Sequence, residues 1–184
     1  FALKRNKEWN LDEIRRILSK EMNVETFEKK NTFGYLRCIK MIKVAKKLVK
    51  VSLDFMEGEI RGRKEQDIVV IDDKFIRNSV KIKIKISEEE HMMYVPSYTD
   101  YLILKIVSAR PSDVRDVATL ILEKGVPEDL EERAREILPY PDVLKKKLIE
   151  SIIPRVSDKR FIDSWRGTFL TTKFDEKKRD EVLR

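Results

Sequence analysis

Residues 93–122 read MYVPSYTDYLILKIVSARPSDVRDVATLIL, and the fold turns on how they are parsed. The strand-like end Met93–Val95 stops at Pro96, and an apolar helix follows with Lys105 set among Leu102, Ile103, Leu104, Ile106 and Val107. A lone buried ammonium is costly, so Lys105 needs an anionic partner or a route to water. Arg110-Pro111 breaks this helix. Pro111 suits the opening of a second one, with Ser112 as the expected N-cap. Asp113 then falls in the first turn, where negative charge is favoured, and Asp116 lies on the same face three residues on. Lys105, Arg110, Asp113 and Asp116 thus gather at one helix–helix corner. Two readings stay open from the spacing: a salt-bridge clasp between the helices, or a site in which Lys105 and Arg110 face phosphates.

Upstream of this stretch the hydrophobic period is mostly two. Asn10 is expected to cap a helix over 11–20 whose inward stripe is Leu11, Ile14, Ile17 and Leu18. Segments 24–29 and 33–42 read as a hairpin around Lys29–Thr32, and 48–56 as a third strand. Alternation in that strand puts Val49, Val51, Leu53 and Phe55 on one face and Lys50, Ser52 and Asp54 on the other. Aspartate is disfavoured in a strand interior, so Asp54 either answers to function, or faces solvent on an open sheet or pairs with Lys50. Residues 58–66 read as a polar loop without the Gly-Lys-Ser/Thr of a phosphate loop. A strand over 68–71, a turn at Asp72-Asp73 and a strand over 80–86 follow. In the last, Val80, Ile82, Ile84 and Ile86 oppose Lys81, Lys83 and Lys85, a lysine row that either guards an edge or follows phosphates. Residues 88–91 read as a turn with His91 exposed.

Downstream, Gly125 with Pro127 after it marks a helix stop. Helices are predicted over 127–138, 141–151, 158–166 and 175–183, with Phe161 and Trp165 packing at the i, i+4 spacing. The expected class is α+β, with a mixed sheet core over 1–96 and a helical part over 97–184.

At 184 residues the chain can bury a real core. Its net charge of +7, from 40 basic and 33 acidic residues, suits a polyanionic partner. One cysteine, Cys38, excludes an intrachain disulfide and a Cys-rich zinc site; it reads as a small core residue. With one histidine, any metal here is oxygen-bound. No apolar run reaches the ~20 residues of a membrane helix and no signal-peptide pattern is seen, so no membrane partner is expected and the expected location is the cytoplasm. A single Gln and abundant Lys and Glu match proteins of very hot organisms.

The strand ending in Val95-Pro96-Ser97, the Leu102-Ile103-Leu104-Lys105 helix and the run Ala109-Arg110-x-x-Asp113-x-x-Asp116-Val117 resemble the segment after the catalytic sheet in nucleotidyltransferase-like proteins of the AbiEii and MenT toxin type. Val51-Ser52-Leu53-Asp54-Phe55 is similar to their strand bearing a third carboxylate. The resemblance covers about residues 1–122. It implies a polymerase-beta-like nucleotidyltransferase fold and transfer of a nucleotidyl group from a nucleoside triphosphate to an acceptor, with Mg²⁺ ions held by three carboxylates. It implies Asp54 as a catalytic, metal-binding carboxylate and Lys105 as a catalytic lysine. Arg110, Asp113 and Asp116 become substrate-binding residues, and RNA as acceptor and an antitoxin protein become partners. The family's Gly-Ser and Asp-x-Asp motifs do not occur in residues 1–184. Phe1-Ala2-Leu3 is similar to the continuation of that Asp-x-Asp strand, so an upstream extension carrying the motifs is expected, and transfer by these residues alone is expected to be impaired. The competing expectations are a non-catalytic basic RNA-binding module and a structural partner whose corner is only a clasp.

Overall fold

In a computed structural model, which describes residues 1–5, 10–86 and 88–184 and only the backbone of Ile86, the chain is α+β. Over 80–85 the expected alternation holds for Ile82 and Ile84, half-buried between exposed Lys81, Lys83 and Lys85, whereas Val80 is 53% exposed; the side chain of Ile86 lies outside the described residues. The chain divides into two compact units, residues 1–61 with 69–77, and residues 62–68 with 78–184.

The first unit is built on a four-stranded mixed sheet of β1 (Ala2–Leu3), β2 (Asn23–Lys29), β3 (Gly34–Val44) and β4 (Lys47–Glu57), in the order β1-β4-β3-β2. β2, β3 and β4 are antiparallel, whereas β1 runs parallel to β4 with Ala2 opposite Met56. Helix α1 (Leu11–Leu18) is capped by Asn10, whose side chain accepts the Glu13 N–H at 3.1 Å. Leu11, Leu36 and Cys38 form the fully buried centre under α1, ringed by Leu3, Ile14, Leu18, Met22, Phe27 and Phe55. Ile17, expected in the stripe, is 47% exposed. It lies about a quarter-turn off the line through Leu11, Ile14 and Leu18. Gly34 lets α1 approach the sheet closely: a Cβ there would come 2.5 Å from the end of the Leu11 side chain and 2.9 Å from that of Glu57, so both would have to shift.

Part of the expected loop over 58–66 is structured. Gly58, at φ 80°, turns β4 into β5 (Glu59–Arg61), which pairs with β6 (Ile68–Val70). The expected turn at Asp72-Asp73 instead opens α2 (Asp73–Arg77), because Asp72 Oδ1 accepts the Phe75 N–H at 2.6 Å and Phe75 is buried.

In the second unit β7 (Val80–Ile86) pairs with β8 (Glu89–Val95). The hairpin, expected with the sheet core, groups with the helices, and residues 89–91 belong to the strand rather than to the turn. Helices α3 (Tyr98–Ser108), α4 (Pro111–Lys124), α5 (Leu130–Ile137), α6 (Asp142–Lys147), α7 (Ile153–Ser157), α8 (Arg160–Phe169) and α9 (Glu176–Val182) follow. The expected helix over 141–151 runs from α6 into a π-helical turn at Leu148–Ile152. Pro154, near the start of α7, has no N–H to offer the preceding turn, and a widened turn before it is one way to absorb that loss. Leu102, Ile103, Ile106 and Val107 of α3 are buried, as are Val114, Val117 and Ala118 of α4 and Ala134 and Ile137 of α5. Trp165 is buried as expected, stacks on Phe174 at 4.7 Å and donates its Nε1–H to Thr119 Oγ1 at 2.9 Å. Among the described residues no helix is long and apolar enough to cross a membrane.

Candidate functional site

The corner foreseen between two helices forms within the second unit. Ser97 caps α3 through the Asp100 N–H, and Ala109 ends the helix in the left-handed conformation, φ 46° and ψ 32°. Arg110, extended, is the N-cap residue of α4 and Pro111 its first residue, so Ser112 lies inside the helix and is not the cap. The cap is reversed in chemistry: Asp113, in the first turn, reaches back to accept the Arg110 backbone N–H at 3.2 Å. That placement aims Asp113 at α3. Lys105 Nζ donates to Asp113 Oδ1 at 3.0 Å and to Asp116 Oδ2 at 2.7 Å, while Arg110 Nε donates to Asp113 Oδ2 at 2.8 Å. Tyr101 adds a ring face 5.3 Å from the ammonium.

Burial grades the four residues. The side chain of Asp113 is 1% exposed, Lys105 19%, Asp116 34% and Arg110 56%. Burial by itself would raise the Asp113 carboxyl, but hydrogen bonds from Arg110, Ser108 and Lys105 outweigh it and hold the group down at about 2. Burial would likewise lower Lys105, and its bonds to Asp116 and Asp113 reverse the sign, so the ammonium is held well above its ordinary value. Two cations meet two carboxylates, and the corner is self-neutralised. Arg110 spends on Asp113 its Nε–H and backbone N–H; the rest of its guanidinium fork stands on the exposed side.

Asp54 lies in the first unit, on the sheet face opposite α1. It stands across from Arg37 in the β3–β4 register, accepts the Tyr35 hydroxyl at 2.6 Å and has Arg37 Nε at 3.3 Å. The phenol of Tyr35 is pushed up to about 12, by burial first and then by its bond to Asp54. The same arginine lies 3.3 Å from Glu25, which accepts from Lys50 at 2.7 Å, so Lys50 pairs with Glu25 rather than with Asp54, the pairing expected as one alternative. Asp54 is 39% exposed, with Arg37 as its side-chain ion-pair partner. Among the described residues no group of three His, Cys, Asp or Glu side chains is arranged to hold a metal ion. Asp54 with a phenol and a guanidinium as neighbours does not by itself fit Mg²⁺, which asks for several oxygen donors.

The sequence reading passed over three buried acids. Asp100, 0% exposed, accepts from Arg133 Nε at 2.6 Å, and Arg133, 2% exposed, also donates to Glu136 at 2.8 Å. The signal was there: Arg133 falls on the same helical stripe as Leu130, Ala134 and Ile137. Asp67 is held by Lys147 at 2.8 Å, a pair 80 residues apart in sequence that no local pattern marks. Glu57 is buried with Arg5 Nε 3.9 Å away. His91 is exposed as expected, and Cys38 is buried, which raises its thiol.

Comparisons with protein-family models, with curated proteins and with solved structures give no match for this chain.

Proposed function

We propose that this chain belongs to a nucleotidyltransferase of the polymerase-beta-like, AbiEii and MenT toxin type. It would transfer a nucleotidyl group from a nucleoside triphosphate to an acceptor such as RNA, in the cytoplasm and under the control of an antitoxin protein. The observation that carries the reading is the corner: Lys105 and Arg110 are brought together on consecutive helices and oriented by one buried carboxylate, Asp113. In this reading Lys105 and the exposed fork of Arg110 take the triphosphate, Asp113 positions both, and Asp116 is the counter-ion that gives way. Catalysis then comes from positioning and charge neutralisation.

Asp54 is the proposed metal-binding carboxylate, and Mg²⁺ the proposed cofactor. Because Asp54 and Glu25, which share Arg37, belong to no group of three metal-ligating side chains among the described residues, the proposal requires further carboxylates beside Asp54, from the expected upstream Asp-x-Asp strand. The test is incubation of a protein carrying such an extension with labelled triphosphates, Mg²⁺ and mixed RNA, beside an Asp54→Ala variant. Labelled product that disappears in the variant supports transfer. RNA bound without label supports the basic binding module instead, and identical behaviour of both proteins ends the enzyme reading.

A further inference from the structure

A second set of cations in the helical unit lies outside the corner. Pro111, Val114 and Arg115 of α4, Arg155 of α7, Asp158, and Arg160, Phe161 and Ser164 of α8 line a cavity of about 190 Å³. Its floor is apolar, with Val114 and Phe161 both buried. Its rim carries three arginines, and among the described residues none of them is ion-paired to a carboxylate, unlike Arg110, Arg133 or Arg37. Arg115 donates from Nη1 to Ser164 Oγ at 3.1 Å, and its Nε–H is buried with no acceptor. Arg155 donates one Nη1 bond to the Ala109 carbonyl at 2.9 Å, which holds its guanidinium by one arm while the residue stays exposed. Asp158, the one acid on the rim, accepts the backbone N–H of Arg160 at 2.8 Å. The first turns of α4 and α8 both contribute to the wall, and Asp113 and Asp158 already supply a carboxylate to each of these N-termini.

An unsatisfied buried guanidinium N–H is expensive, and three unpaired arginines on one rim repel one another unless an anion joins them. We propose that this cavity binds a phosphoryl group, with Arg115, Arg155 and Arg160 as its donors and Val114 and Phe161 as the floor for the group that carries it. The size sets the ligand. Pockets that enclose a whole drug-sized molecule run from about 300 Å³ upward, so the cavity seats one phosphoryl group and leaves the rest of the nucleotide or polynucleotide outside.

The test is a titration of the 184-residue chain at fixed ionic strength with AMP, with a 5′-phosphorylated tetranucleotide and with adenosine, followed by NMR of arginine Nε–Hε groups and the Ser164 amide. The expected result is that AMP or the tetranucleotide shifts the Arg115 and Ser164 signals while adenosine does not. Arg160→Gln should weaken binding about tenfold, the worth of one charge-assisted bond. That variant is the safe one, because Arg160 is exposed and its side chain holds no other element, whereas Arg155→Gln also removes the bond to Ala109. Binding by AMP identifies a free nucleotide as sufficient, and binding by the tetranucleotide alone identifies a strand phosphate; either supports the site. Adenosine binding as well as AMP would overturn it. So would a ligand response lost in Lys81→Gln, on the hairpin, and kept in Arg160→Gln, or no shift at millimolar ligand. None of these results depends on nucleotidyl transfer.

Discussion

Replacing Asp113 by asparagine keeps the shape of the side chain and removes what the corner is built on. The carboxylate accepts from Lys105 Nζ, Arg110 Nε and the Arg110 backbone N–H, with a further bond from Ser108. An asparagine offers one acceptor oxygen and turns an NH₂ group toward donors. The carboxyl moves from an ordinary 3.8 to about 2 in the folded chain. At ~1.4 kcal/mol per tenfold change in acidity, that corresponds to roughly 2.5 kcal/mol of folding stability near neutral pH. Because the folded carboxyl is depressed, this stability is present above pH ~4 and is lost as pH falls through about 2. Asp113→Asn should therefore cost roughly 2–3 kcal/mol at pH 7, measured by urea denaturation with helical circular dichroism as the signal. The gap between the two proteins should shrink when the measurement is repeated near pH 2. A cost below ~0.5 kcal/mol at pH 7, or a gap independent of pH, would refute the assigned hydrogen bonding.

Arg133→Met should cost about 3–5 kcal/mol, since it strands Asp100 in the interior, and adding Asp100→Leu should return much of that loss in the same assay. Trp165→Ala removes the stack on Phe174 and the bond to Thr119 and should cost about 3–5 kcal/mol, read from the urea midpoint. If the Lys- and Glu-rich, Gln-poor composition reflects a hot habitat, calorimetry should give a Tm above about 65 °C, and a lower value removes that reading.

What the sequence disclosed follows the range of the interactions involved. The Lys105 corner was legible because all four residues fall within twelve positions and helical spacing brings them to one edge. The third strand was legible because period two runs through 49–55, and the face assigned to Asp54 is the one bearing Arg37 and Tyr35. The N-cap was misplaced by two residues because Arg110 caps by donating to its own helix: Asp113 supplies the acceptor and the capping residue supplies the N–H. Arg133 was missed because a buried cation on an apolar stripe looks like a solvated residue until its partner 33 positions away is known. Asp67 with Lys147 is the limiting case, since nothing within either segment hints at the other.

A triphosphate reaching the corner meets cations already neutralised, so the order in which counter-ions yield decides whether the corner binds or only clasps. Asp116 is 34% exposed and can hand its charge to water, so releasing it from the half-buried Lys105 costs less than releasing Asp113. Asp113 is 1% exposed; releasing it would strand a buried charge at several kcal/mol. A phosphate oxygen would therefore take the place of Asp116 on Lys105 and leave Asp113 as the fixed anchor. In that case Asp116→Asn costs less stability than Asp113→Asn and tightens binding of ATP several-fold in equilibrium dialysis, while Asp113→Asn loses both stability and binding. A clasp gives a different pattern: neither protein binds ATP, and the two substitutions differ only in how far they lower the urea midpoint.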